Sequence, residues 1–375
     1  MKTKFFSSLF CLLATGLLFS TLLSSTPYLK NTFHSNYKAQ VTEDVSVTNL
    51  ADKIIATCVK DSNCYKKELL NQLKINPSTS NSIKLFTSIT ESSNGMSGGC
   101  NSVGRLMGEE LFKIHGKDVF TNYSVICGHA YMYGFMIGYG KILPEETKTS
   151  FLRDYCKKDV NPVSCVYGVG YAIHFATLDG AEAQKRCITA GEDLSNIDPD
   201  LIPSYQMTGP GDCILGWASG VMDNMEVKEN PKLEDALKIC KGMTDGSLRV
   251  CLAEASFAYS FQGHPEIKER EQRLAEINIR CQEDTSYECM QFLGKAIVDH
   301  LIYTVKIDLK SDQMTTYAAQ TIESLCVGSN AQACLMGSIQ DQLTRTTHDD
   351  MMKLCSAFTI ASNKKFCLDT NLQHE

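Results

Sequence analysis

Phe151-Leu152-Arg153-Asp154-Tyr155-Cys156 reads as a helix that ends in a cysteine; a short polar loop follows, and Cys165-Val166-Tyr167-Gly168 opens the next apolar helix. The same punctuation returns where Cys240 closes Leu233 to Ile239 and Cys251 opens Leu252 to Phe257. It returns again at Cys281 and Cys289, at Cys326 and Cys334, and at Cys355 and Cys367. Versions with larger insertions join Cys187 to Cys213 and Cys100 to Cys127, and a short one joins Cys58 to Cys64. The pattern predicts an all-α chain whose successive helices are stapled by eight sequence-local disulfides.

Disulfide geometry favours neighbours over remote partners. A bridge needs α-carbons within about 7 Å, and the last turn of one helix lies beside the first turn of an antiparallel successor joined by a short loop. Parity agrees: of seventeen cysteines, Cys11 falls inside an N-terminal apolar segment and sixteen are left to pair. Disulfides persist in oxidising compartments outside the cytosol. A C-x2-C knuckle, the usual mark of a zinc site, is missing from the sequence.

The N-terminus supplies the export device. Met1-Lys2-Thr3-Lys4 is a basic start, and Phe5 to Leu23 is nineteen residues without a charge. That is the layout of a secretory signal, and it also approaches the roughly 20 residues that span a bilayer. Residues 1–25 are therefore expected to be a signal peptide or a retained N-terminal membrane anchor. Residues 26–48 read as a polar linker, and residues 49–375 as a cysteine-rich helical repeat domain. The domain is expected to be secreted or periplasmic, or held outside the cytoplasm by the single anchor.

Composition narrows the class of partner. Of 375 residues, 43% are hydrophobic and 21% charged, which suits a folded globular chain. The net charge is −7, or −9 when Lys2 and Lys4 leave with a leader, and no Lys/Arg cluster is present. Phosphate neutralisation needs such clusters, so nucleic acid is excluded as an expected partner.

From Asn49 onward the apolar period is helical: Leu50, Ile54 and Ile55 precede Cys58, and Leu69, Leu70 and Leu73 follow Cys64. Strand signals are nearly absent. Ser93-Asn94-Gly95, Ser97-Gly98-Gly99 and the stretch from Asp198-Pro199 to Gly209-Pro210-Gly211 are breakers, and Asn230-Pro231 reads as an N-cap with proline at N1. The opening cysteines at 213, 251, 289 and 334 are spaced by 38, 38 and 45 residues, the range of helical repeat arrays. The expected architecture is an irregular, α-solenoid-like array of stapled helical hairpins. Small residues recur four apart in the opening helices: Ala130 and Gly134, Gly168 and Ala172, Gly216 and Gly220. Glycine disfavours a helix by about 1 kcal/mol relative to alanine, so its repeated use points to close helix packing.

Several of these segments together resemble the secreted, cysteine-rich branch of tetratricopeptide-like repeat proteins. The matching features are Ala183-Gln184-Lys185-Arg186-Cys187 or Leu325-Cys326 closing a helix, and seven residues between Cys281 and Cys289 and between Cys326 and Cys334. Openings such as Cys165-Val166-Tyr167-Gly168 and Cys334-Leu335-Met336-Gly337 complete the pattern. The likeness covers roughly residues 150–340. It departs from the family in its unfixed period, its variable loops and its lack of the fuller aromatic and proline consensus. The resemblance implies stacked, disulfide-stapled helix pairs that act as a protein-interaction scaffold.

Chemistry-bearing residues are sparse. Gly95-Met96-Ser97-Gly98-Gly99 fits G-x-S-x-G, yet a nucleophile elbow needs a preceding strand, and Ser82 to Ile89 reads as helix. His129 and His174, the latter beside Tyr171, are candidate ligands of a metal or heme if their imidazoles converge in a groove. Glu109, Glu110 and His115, and likewise His348, Asp349 and Asp350, have residue types for acid and base work, but charge on a helix ordinarily faces water. Trp217, the only tryptophan, and Tyr131 and Tyr133 are candidate partner-binding anchors, since aromatic residues are enriched at binding hot spots. Asn122-Tyr123-Ser124 is a formal glycosylation acceptor. The leading expectation is an extracytoplasmic scaffold for a protein or peptide partner, without a cofactor. The alternative is a helical enzyme or metal/heme-binding protein using His129 and His174.

Overall fold

A computed structural model describes residues 45–372, apart from residues 60, 93–99, 122–125, 143–148, 158–161, 192–208, 226–230, 264, 285–286, 329 and 344–346. The N-terminal signal or anchor, the linker up to residue 44, the G-x-S-x-G loop and Asn122 thus lie outside the described residues. Among those described, every regular element is helical. The first half holds α1 (Val45–Cys58), α2 (Ser62–Ile75), α3 (Thr79–Ser92), α4 (Cys100–His115), α5 (Ile126–Ile142), α6 (Thr149–Cys156), α7 (Pro162–Ile173), α8 (Gly180–Gly191) and α9 (Gly209–Asn224). The second holds α10 (Leu233–Leu237), α11 (Asp245–Phe261), α12 (Ile267–Asp284), α13 (Tyr287–Asp299), α14 (Asp312–Leu325), α15 (Ala331–Leu343), α16 (His348–Ala357) and α17 (Ala361–Leu372). Helix α1 begins four residues before Asn49, so the linker reading is corrected at Val45–Thr48. Helix α10 starts at Leu233 with Lys232 as its N-cap, two residues beyond the expected proline.

The helices alternate between two layers. Helices α4, α5, α7, α9, α11, α13 and α15 pack side by side in that order, while α6 packs on α8 and α14 on α16 in the other layer. Contacts within the first layer keep a constant offset. A Cβ on Gly104 would meet Ala130, one on Gly108 would meet Gly134, and one on Gly138 would meet Phe112, each pair 26 residues apart. A fixed offset means that α4 and α5 run parallel. The same holds for α7 and α9, where Tyr167 pairs with Ser219 and Tyr171 with Asp223, each 52 residues apart.

Glycines set the distance between these parallel helices. A Cβ on Gly170 would lie 1.8 Å from the Cys213 carbonyl oxygen, and one on Gly216 would lie 1.8 Å from that of Tyr167. Gly294 and Gly337 repeat the arrangement against Cys334 and Gln291. Backbones meet directly, as small-residue crossings allow, and this is the packing reason for glycines that weaken their own helices.

The eight cysteine pairs stand at bonding distance, with α-carbons 5.3 to 5.8 Å apart. Cys58–Cys64, Cys156–Cys165, Cys187–Cys213, Cys240–Cys251, Cys281–Cys289, Cys326–Cys334 and Cys355–Cys367 each tie a helix to its successor. Cys100–Cys127 departs from the antiparallel hairpin expected for every pair. It joins the first turns of α4 and α5, which run parallel; the 3-10 turn at Gly116–Thr121 follows the end of α4. Eight such bridges suit an oxidising, extracytoplasmic environment. Among the described residues no helix is long and apolar enough to cross a membrane.

Two apolar cores run through the array. One extends from Ala51 to Ala255 and the other from Met222 to Cys367, with Met225, Leu237 and Ile239 packed against both. The cystines are buried within them, except at the half-buried Cys64, Cys100 and Cys127. Local signals start individual helices: Asp61 caps α2 by accepting the Asn63 N–H, and Thr347 caps α16 by accepting that of Asp350.

Candidate functional site

The parallel first layer carries a ladder of polar and aromatic side chains, built by register. Tyr167 and Tyr171 stand one turn apart on α7, and Ser219 and Asp223 one turn apart on α9. Because the two helices are parallel, the rungs match: Tyr167 donates to Ser219 Oγ at 2.8 Å, and Tyr171 donates to the Asp223 carboxylate. Each rung spans 52 residues. Ser219 in turn donates to Glu254 on α11.

Arg105 of α4 ties the other end of the ladder. Its guanidinium carbon lies 5.2 Å from the Tyr171 ring centre and 5.7 Å from that of Tyr133 on α5, and its Nη1 is 3.5 Å from Asp223. Tyr133 and Tyr167 hold their rings 5.3 Å apart. Beyond Glu254, Lys295 of α13 sits over the Phe257 ring at 4.7 Å. Six consecutive helices of one layer therefore each contribute at least one side chain.

Burial sets the protonation states along the ladder. Burial pushes the Tyr167 phenol up to about 12 and raises Tyr171 further, helped by the Asp223 charge, so both stay protonated donors. Burial also raises Glu254 despite the opposing pull of Lys295. The Arg105 and Asp223 side chains are 25% and 42% exposed, so this end of the ladder is open to solvent.

His174 caps the α7 end of the ladder and packs edge-on to Tyr171. Its Nδ1 meets the Tyr171 carbonyl, while Asn224 Nδ2 lies 3.0 Å from Nε2. A carbonyl can only accept and an amide NH2 can only donate, so the ring is the neutral Nδ1–H tautomer. Burial lowers its pKa to about 4, which agrees.

His129 stands in the first turn of α5, at the far end from His174. Gly140, eleven residues further along α5, faces Ala172 and Phe175, so the two histidine backbones are about 16 Å apart along the helix axis. At that backbone separation the structure does not bring the two histidines together, and the His129 side chain itself lies outside the described residues. Among the described residues no three His, Cys, Asp or Glu side chains gather as a metal would need.

The other expected residues serve packing and capping. Trp217 is fully buried and donates to the Thr177 carbonyl at 2.9 Å; Tyr131 is fully buried and donates to the Ser82 carbonyl at 3.1 Å. Neither is presented to a partner, which corrects their reading as anchors. Tyr133, buried beside Arg105, does belong to the ladder. Glu109 is held by Lys113 and Lys141, Glu110 by Lys113, and His115 meets the Pro77 carbonyl, so they form no acid–base group. Asp350 completes the Thr347 cap of α16. The segment before the G-x-S-x-G loop is helix α3, the wrong context for an elbow.

Arg105, Tyr167, Ser219, Asp223 and Glu254 were not singled out from the sequence. The available signal was two polar or aromatic pairs at four-residue spacing on glycine-bearing helices, which becomes legible only with the parallel register. No protein-family model, curated protein or solved structure matches the chain.

Proposed function

We propose that this chain is an extracytoplasmic helical-repeat scaffold that binds a protein or peptide partner along the ladder from Arg105 to Lys295. The observation that carries the reading is the regular supply of Arg, Tyr and Asp side chains to one connected ladder by successive helices of a single layer, with Arg105 and Asp223 left partly exposed at its edge. Stacked repeats recognise extended partners through such additive surfaces. Arginine and tyrosine are favoured at interfaces because each combines a broad apolar face with directional donors. The resemblance to secreted cysteine-rich tetratricopeptide-like repeat proteins, and an N-terminal segment that directs export by cleavage or by anchoring, fit the same assignment.

The test is selection of displayed peptides on the oxidised protein. Enriched sequences are expected, and their affinity should fall at least about tenfold on Arg105→Ala and on Asp223→Ala, while Lys185→Ala on α8 leaves it unchanged. Failure to enrich any sequence, or equal binding by the Arg105→Ala protein, sinks the proposal.

A further inference from the structure

Away from the ladder, α13 continues into a π-helical turn over His300–Val305. Such turns are rare and concentrate at functional sites. This one opens a cleft of about 500 Å³ whose walls include Phe261, Arg270, Asp299, Tyr303 and Thr304. Tyr303 is 54% exposed at its rim, and Arg270 is 3% exposed.

Arg270 is incompletely satisfied. Its Nη1 donates to Thr304 Oγ1 at 2.7 Å and reaches the Asp299 carbonyl at 3.5 Å, and the guanidinium lies 5.7 Å from the Phe261 ring. Its Nε and Nη2 are buried without a hydrogen-bond partner. Arginine stays charged under all ordinary conditions, and a buried N–H left unpaired is destabilising.

We propose that this cleft binds a carboxylate carried on an apolar or aromatic body, such as the C-terminus or an acidic side chain of a peptide. The Nε and Nη2 edge presents two parallel donors that match the two oxygens of a carboxylate. One guanidinium matches the single charge of a carboxylate rather than the double charge of a phosphate, and the Asp299 carboxylate beside it disfavours a second negative charge. Phe261 and Tyr303 supply the faces on which the ligand's ring or alkyl body lies. The cleft is separate from the Arg105 ladder, so either site can fail without the other.

Saturation-transfer NMR on the full oxidised protein tests this with N-acetylphenylalanine, its carboxamide, an N-acetyl aspartate amide and inorganic phosphate as probes at millimolar concentration. N-acetylphenylalanine is expected to bind saturably and at least about tenfold more tightly than the carboxamide, given the strength of charge-assisted hydrogen bonds. Comparable binding of the aspartate amide marks an internal acidic side chain as ligand, and its weaker binding marks a chain terminus. Arg270→Gln should abolish the signal; because Arg270 is buried, Tyr303→Ala at the rim serves as the second variant and should weaken binding without unfolding the protein. Equal binding of acid and carboxamide, phosphate binding as tight as the acid, or an unchanged signal in the Tyr303→Ala protein overturns the proposal.

Discussion

Glu323, near the end of α14, accepts the backbone N–H of Ile360 at 2.8 Å, so a carboxylate from one helix caps the start of α17. The same carboxylate accepts the Thr359 N–H at 3.1 Å and the Thr359 hydroxyl at 2.6 Å. Burial alone would raise its pKa, but these donors outweigh burial and hold it below the ordinary value. A depressed carboxyl stabilises the fold fully above the unfolded pKa of about 4.3, and that contribution disappears as pH falls through the lower folded value. Glu323→Ala should cost about 0.5–2 kcal/mol at neutral pH by removing a carboxylate cap from these part-buried donors. Urea unfolding at neutral and acidic pH reads both effects. Equal stability of the two proteins at neutral pH would rule out the cap.

Gly170 and Gly246 give a contrast between two helix glycines. Alanine at 170 drives a methyl group into the Cys213 carbonyl, whereas at 246 the nearest atom is the Arg249 side chain at 3.9 Å. Gly170→Ala is expected to be strongly destabilising, by about 3 kcal/mol or more through overpacking. Gly246→Ala, in a helix without a positive φ, should stabilise by about 0.4–1 kcal/mol. Thermal denaturation of the two variants decides it, and a neutral Gly170→Ala would refute direct backbone contact between α7 and α9.

His174 predicts a pH dependence of its own. Its folded pKa of about 4 lies below the unfolded value near 6.5 because burial disfavours the cation. The unfolded chain therefore takes up the proton first. Stability from this group is level above about pH 6.5 and falls as pH drops toward 4, by up to about 1.4 kcal/mol per unit. A His174→Gln protein should lack this component, so the two unfolding curves should converge on acidification. Parallel curves would mean that the imidazole titrates freely.

Two staples of different span separate chain entropy from packing. Replacing Cys156 and Cys165 together removes a bridge spanning 9 residues, and replacing Cys187 and Cys213 removes one spanning 26. Each loss is expected to cost about 2–4 kcal/mol, with the longer loop worth about 1 kcal/mol more. Denaturant titration of the two double alanine variants tests the order. Peptide mapping without reductant should meanwhile return the eight adjacent pairs, and a bridge between remote helices would contradict the array.

What the amino-acid sequence determines here is what short chain separations control. Cys281 and Cys289, or Cys326 and Cys334, are close along the chain, so helix periodicity and a short loop bring them together whatever the rest of the fold does. The all-helical character and the meaning of the glycine spacing follow from the same local rules. Cys100 and Cys127 mark the limit: the pair is readable, but the parallel run of α4 and α5 depends on the chain's return path. The ladder belongs wholly to the tertiary structure. Tyr171 and Asp223 are 52 residues apart, and only the Gly170–Gly216 crossing fixes the register that faces one to the other. Arg270 needs the same long-range information, because its Thr304 partner and its cleft arise from a π turn that no spacing in the sequence announces.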